Sequence, residues 1–182
     1  FNKDILPGGY LGVDIFFVIS GFVITSSLYQ RPSKSFKDFI SGFYERRIKR
    51  LIPALSVFVL MMSIAICLFN PLPGTSLKTG LSSLFGFSNL FLFQISTDYF
   101  AQSTQLNVFT HTWSLGVEEQ FYLLYPLFIW FSGYGRQTKN SNSIRNLLLI
   151  IGTLAITSLI SFLYLYQINQ SAAYFLMPTR FW

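Results

Sequence analysis

The chain has 182 residues, of which 52% are hydrophobic, 19% aromatic and only 11% charged, and its net charge is +6. Soluble proteins contain about 25% charged residues. The composition therefore excludes an ordinary soluble domain and, with a mean hydropathy of +0.48, predicts an integral membrane protein. No basic–aromatic module indicates nucleic-acid binding. The one cysteine, Cys67, lies within an apolar run, which indicates a packing role.

Four apolar segments are long enough to cross a hydrocarbon core of about 30 Å. In chain order they cover residues 10–29, 51–69, 112–131 and 147–168. The polar segments 30–50 and 132–146 hold most of the Lys and Arg residues, which places both in the cytoplasm. Apolar residues at helical spacing over 36–43 predict a short amphipathic helix at the membrane interface.

Residues 77–93 form a weaker apolar segment that contains Lys78 and Asn89. Two cytoplasmic loops require an even number of crossings between them, and residues 51–69 and 112–131 already supply two. We therefore expect 77–93 to be re-entrant or to lie on the membrane surface. The alternative is that it spans the membrane and one basic loop departs from the rule. The predicted fold is all-α: a polytopic transmembrane helical bundle of four spans plus one re-entrant or weak membrane helix.

The third strong apolar segment opens with the only histidine of the chain and two adjacent glutamates. An ionisable side chain within a span costs about 2.5–3.5 kcal/mol to insert, so it indicates function. At about 100° per residue, one helical stripe holds His111, Ser114, Leu115, Glu118, Tyr122 and Tyr125. His111 and Glu118 are therefore candidate catalytic groups. Ser114 is either a nucleophile or a residue that caps the helix or hydrogen-bonds within the bundle. One imidazole without a second His or Cys predicts no metal site.

Two further charged features frame this segment. Asp14 interrupts the first apolar span and is either paired or in contact with substrate, or is a first-turn helix residue in the interface. A dense basic stretch before the second span contains Arg46, Arg47 and Arg50. These arginines either anchor the topology on anionic lipid or bind the phosphates of a cytosolic donor such as a coenzyme A thioester. The topology predicts that Asp14, the segment from His111 to Glu119, and Arg180 meet at the outer face.

Four stretches resemble the acyltransferase-3 family and follow the family's order: GGYLGVDIFFVISGF, FYERRIKRLIP, HTWSLGVEEQFYLLYP and YFLMPTRFW. The family comprises polytopic membrane proteins that transfer acyl groups, commonly acetyl, to sugars of cell-surface polysaccharides. The resemblance implies acetyl-CoA or another acyl-CoA as donor substrate, no bound cofactor, and a glycan acceptor such as lipopolysaccharide O-antigen or peptidoglycan. It also implies a multi-pass protein of the cell inner (plasma) membrane, in contact with membrane lipid.

The motif positions carry over residue by residue. Asp14, Ser20 and Gly21 match the family's second-helix motif, and the three arginines match its basic stretch. The resemblance implies a catalytic role for Asp14, His111, Ser114 and Glu118. It implies substrate binding for Arg46, Arg47, Arg50, Trp113, Glu119, Tyr122 and Arg180.

The chain departs from the family in extent. The family's first helix carries an Arg and a His regarded as essential to transfer, and it would precede Phe1. Further spans would follow Trp182, and in many members an SGNH-type domain follows them. We therefore expect residues 1–182 to be a partial acyltransferase-3 transmembrane domain, truncated at both ends and inactive alone. The alternatives are a proton-coupled membrane transporter, since intramembrane carboxylates also build ion pathways, and a structural membrane subunit. The sequence shows no internal repeat between its halves, which favours the transferase.

Overall fold

The computed structural model describes residues 11–31, 33, 35–97, 107–134 and 142–180. This part of the chain is all-helical, as predicted. Its helices are α1 (Leu11–Tyr29), α2 (Phe36–Phe69), α3 (Gly74–Leu84), α4 (Ser88–Thr97), α5 (Trp113–Phe131), α6 (Ser143–Ile168) and α7 (Gln170–Phe175). Two 3-10 turns, Thr110–Thr112 and Met177–Thr179, precede α5 and follow α7.

Three helices are long and apolar enough to cross a membrane, namely α1, α2 and α6. Most of their large apolar side chains are exposed on the outside of the bundle, where a bilayer would solvate them. Helix α5 has 19 residues but carries Glu118 and Glu119 and does not reach the same apolarity. Three of the four predicted spans therefore have the required length and composition, and the count of four plus one stays a prediction. Cys67 is exposed on α2, so the predicted packing role is wrong within this part of the chain.

Helix α2 corrects the prediction of an amphipathic helix followed by a separate span. It is one helix of 34 residues with Pro53 inside it, about 51 Å long at about 1.5 Å per residue. Its first half stays helical because Phe39 and Phe43 are buried in the core formed with α1 and α5. The three arginines therefore lie on a rigid helix that continues into the apolar span, and not on a loop.

The weak segment 77–93 is also different from the prediction. It is divided between α3, with 11 residues, and α4, with 10 residues. Each is only about 16 Å long, too short for a hydrocarbon core of about 30 Å. The break falls at Gly86, whose φ of +72° suits glycine. A Cβ at this position would collide with the carboxylate of Glu119. The turn between α3 and α4 therefore packs closely against α5.

Helix α5 lies at the centre of the bundle and packs against α1, α2, α3, α4 and α6. One core cluster joins it to α1 and α2 through residues that include Ile24, Phe43 and Ile129. A second cluster joins it to α4, α7 and the last 3-10 turn through Trp113 and Phe175. This central position explains how a helix that carries two adjacent carboxylates is buried: its carboxylates face neighbouring elements.

Candidate active site

The predicted polar stripe of α5 exists from Glu118 onward and faces α1. Glu118 is 4% exposed, and its Oε1 atom accepts a hydrogen bond of 2.5 Å from the hydroxyl of Ser20. The phenol of Tyr122, one helical turn further, donates to the same carboxylate oxygen. A buried carboxylate is costly unless donors surround it, and here hydroxyl groups of two helices supply them.

One turn beyond, the hydroxyls of Thr25 on α1 and Tyr125 on α5 are hydrogen-bonded at 2.6 Å. The two helices are thus joined by polar contacts over two successive turns. Between them Gly21 faces Phe121, and a Cβ on this glycine would lie 4.0 Å from the Phe121 ring, an ordinary van der Waals separation.

Among the three predicted phosphate-binding arginines, Arg47 turns into the bundle. Its guanidinium lies over the Tyr122 ring at 4.2 Å from the centroid, a distance at which a cation and an aromatic face attract each other. Arg46 and Arg50 are exposed on α2. The basic stretch therefore has one arginine that supports Tyr122 and two that are accessible to a ligand.

Asp14 and Arg180 form an ion pair, although 166 positions separate them. Arg180 Nη1 lies 3.1 Å from Asp14 Oδ1, and the side chains are 11% and 26% exposed, respectively. The guanidinium also lies over the rings of Trp113, at 5.5 Å, and Tyr174, at 5.2 Å. Asp14 is therefore paired, as one of the two sequence interpretations held, and the predicted meeting of Asp14, Arg180 and the start of α5 is confirmed.

Two details of this cluster bear on what it can bind. The Nε–H of Arg180 is buried and has no hydrogen-bond partner among the described residues. Burial raises the pKa of Tyr174 above its ordinary value, and Arg180 opposes that shift. The phenol therefore stays neutral at physiological pH, and the guanidinium retains a donor for an oxygen atom of a ligand.

His111 does not share the environment of Glu118. It lies in the 3-10 turn before α5 and is exposed, whereas Glu118 is buried. The predicted stripe is therefore wrong at its N-terminal end, because α5 begins only at Trp113. Ser114 Oγ donates to the backbone carbonyl of His111 at 3.2 Å, which fits a serine that is hydrogen-bonded within the bundle; the N-cap position is Thr112. The catalytic roles of both residues stay predictions.

Glu119 points to a different side of α5, as its position in the helix predicts. It packs against Gly86 and lines a small cavity of about 150 Å³ together with Tyr44, Arg47 and Tyr122. Its neighbour Gln120 donates to the side chain of Asn89 at 2.8 Å and to the backbone carbonyl of Gly86 at 3.2 Å. These contacts hold the short helices α3 and α4 against α5.

A larger cavity of about 260 Å³ lies between α1, α5 and α6. Its walls are mostly apolar, with Phe17, Phe121 and Met177 among them, and its polar groups include Ser20, Glu118 and Arg180. The cavity thus brings together groups from the first, central and last parts of the described chain. No group of three or more His, Cys, Asp and Glu side chains that would suit a metal ion occurs within the described ranges.

Sequence reasoning did not select Ser20, Thr25 or Tyr174 as site residues. Ser20 was visible only as a position of the second-helix motif, and a serine in an apolar helix ordinarily bonds to its own backbone. Tyr174 was visible only as the first residue of the stretch YFLMPTRFW, and its role depends on the fold that brings α7 beside α5.

Comparison with known proteins gives the same family as the motifs. The model of the acyltransferase domain of the acyltransferase-3 family matches residues 4–180. The O-acetyltransferase OatA of Staphylococcus aureus strain COL is 39% identical over 161 residues, which are 88% of this chain and 25% of that protein. A second protein of this strain, whose O-acetyltransferase name is provisional, is 36% identical over 129 residues, or 70% of this chain and 21% of its own. The chain thus spans about a quarter of the length of these relatives.

No solved structure matches the chain. The family match covers nearly all of the chain, and it includes every residue of the cluster around Glu118 and of the ion pair between Asp14 and Arg180. The chain therefore belongs to the acyltransferase-3 family.

Proposed function

We propose that the protein is a membrane-bound O-acyltransferase that moves an acyl group, acetyl in the first place, from an acyl-CoA to a hydroxyl of a cell-surface glycan. Membership of the acyltransferase-3 family and similarity to OatA support this proposal. The observation that carries it is the buried Glu118 carboxylate at the wall of a cavity that also contains Arg180. The acceptor class includes peptidoglycan and the O-antigen of lipopolysaccharide.

The reaction needs a group that binds the acceptor hydroxyl, a donor for the oxyanion of the thioester carbonyl, and a site for the donor's phosphates. Glu118 accepts a hydrogen bond from the acceptor hydroxyl and orients its oxygen toward the carbonyl carbon. The C–O bond forms as the C–S bond breaks, and the hydroxyl proton leaves with the coenzyme A thiol. Arg180, whose Nε–H is buried without a partner in the described part of the chain, donates to a substrate oxygen.

Arg46 and Arg50, which are exposed on α2, bind the phosphates of the donor, because guanidinium groups make paired hydrogen bonds to phosphate oxygens. We place this end of α2 in the cytoplasm and the protein in the plasma membrane as a multi-pass protein. His111 and Asp14 keep their predicted catalytic roles in orienting the acceptor, with Asp14 acting through Arg180. The direct transfer uses no covalent intermediate on Ser114.

The experiment is mass spectrometry of surface polysaccharide from cells that express the protein at its full natural length. Glu118→Gln should lower glycan O-acetylation about 10- to 100-fold, because a neutral amide replaces the charged group that accepts the hydrogen bond of the acceptor hydroxyl. Glu45→Gln is the matched control, since it is the same substitution on an exposed side chain of α2. Normal acetylation by Glu118→Gln at equal protein level would remove Glu118 from the mechanism; no acetylation by the wild type would overturn the function.

A further inference from the structure

We propose that Ser20 is a positioning residue for Glu118: its hydroxyl, with that of Tyr122, holds one carboxylate oxygen so that the other oxygen faces the substrate. This inference rests on the proposed acyl transfer. It assigns a role to a serine of a spanning helix that the reaction itself does not use.

Two hydroxyl groups bind the carboxylate of Glu118 through the same oxygen atom. The hydroxyls of Ser20 and Tyr122 both donate to Oε1 of Glu118, and their own oxygen atoms are 3.4 Å apart. Two donors on one oxygen fix the rotation of the carboxylate about its last bond. Because Glu118 also lines the 260 Å³ cavity, Oε2 is the oxygen left to accept a hydrogen bond from an acceptor hydroxyl.

Ser20 is hydrogen-bonded to another helix and not to its own backbone. Hydroxyl side chains within helices usually bond to the carbonyl one turn earlier in the same helix. Thr25 on the same helix donates to the carbonyl of Gly21 at 2.7 Å, and Thr79 on α3 donates to that of Thr75 at 2.9 Å. Ser20 instead donates across to α5. The Ser20 hydroxyl therefore acts as a hydrogen-bond donor to Glu118, and not as a partner of the α1 backbone.

The ring of Tyr122 is itself held by a side chain of α2. The Tyr122 phenol needs a fixed ring to act as a donor, and the Arg47 guanidinium of α2 lies over that ring at 4.2 Å. Tyr122 is also 5% exposed, so its rotamer is set by packing. Glu118 is thus held from α1 by Ser20 and indirectly from α2 by Arg47 through Tyr122.

A positioning role predicts a specific kinetic signature. If Ser20 orients a group that acts in the transition state, its removal lowers kcat and leaves KM nearly unchanged. A residue that only stabilises the fold would instead lower the amount of folded protein, with normal kinetics per folded molecule. Restoring a hydroxyl at the same position should restore kcat.

The test uses the full-length wild type, Ser20→Ala and Ser20→Thr, purified in detergent, with acetyl-CoA as donor and a soluble glycan fragment as acceptor. The matched control is Ser83→Ala, which removes a buried hydroxyl bond of 2.7 Å to Thr112 away from the cavity. Loss of a hydrogen bond to a charged group corresponds to roughly a 10- to 100-fold effect. We expect Ser20→Ala to lower kcat by that factor with KM within about twofold, Ser20→Thr to recover most of it, and Ser83→Ala to keep wild-type kcat.

The inference is overturned if Ser20→Ala retains wild-type kcat, or if Ser20→Thr is as impaired as Ser20→Ala, since the hydroxyl would then not matter. A wild-type protein that transfers no acetyl group would contradict the proposed function instead, whatever Ser20 does. The two failures are therefore distinguishable in one set of measurements.

Discussion

The ion pair between Asp14 and Arg180 gives the most quantitative prediction. At 3.1 Å the Coulomb attraction is about 5 kcal/mol for an effective dielectric constant of about 20, before the cost of desolvation. The side chains are 11% and 26% exposed, so the net interaction should fall between the range of surface pairs, about 0–1 kcal/mol, and the 3–5 kcal/mol lost when a buried pair is broken. We expect a coupling free energy of about 2 kcal/mol.

A double-mutant cycle with Asp14→Asn and Arg180→Gln measures this coupling. Each single variant leaves the partner's charge partly buried and unpaired, whereas the double variant leaves none, so the effects should not be additive. For a domain of this size, about 2 kcal/mol corresponds to roughly 4–8 °C in Tm. The assay is thermal unfolding in detergent, followed by tryptophan fluorescence, which reports on Trp113 beside Arg180. Strictly additive losses, or single variants as stable as the wild type, would refute the reasoning.

Two further predictions concern the contacts that hold α3 and α4 against α5. Gly86→Ala should destabilise the protein by at least about 1–2 kcal/mol, because φ is +72° and a Cβ would collide with Glu119. The control is Gly152→Ala on α6, where a Cβ meets nothing within 4 Å. Its Tm should be at or above that of the wild type. A normal Tm for the first variant would contradict the geometry of this turn. Asn89→Ala should cost about 2 kcal/mol, since it removes the Asn89 donor from a buried carbonyl of α7 and leaves the Gln120 amide with the Gly86 carbonyl only. An unchanged Tm would show that these bonds contribute nothing.

The sequence predicted three helices from the lengths of their apolar runs. The segments 10–29, 112–131 and 147–168 correspond to α1, α5 and α6 within a few residues, because the length of an apolar run is a local property. The prediction failed where tertiary contacts decide. Helix α2 passes through its basic stretch since Phe39 and Phe43 are buried by other helices, and 77–93 divides at a turn shaped around a side chain of α5.

The candidate site shows the same division. Helical periodicity correctly placed Glu118, Tyr122 and Tyr125 on one face, and topology correctly brought Asp14 and Arg180 to one end. Periodicity also included His111, which lies instead in the turn before the helix, because a pattern cannot locate the residue at which a helix begins.

The sequence by itself determined the family, the membrane character and the presence of costly ionisable groups in apolar surroundings. Only the tertiary structure decided which of these groups are in contact. Ser20 is hydrogen-bonded to Glu118, Arg47 lies over the ring of Tyr122, and Arg180 is paired with Asp14. The physical reason is that periodicity describes one helix at a time. A hydrogen bond between helices depends on their separation and rotation, which the packing of many side chains sets together.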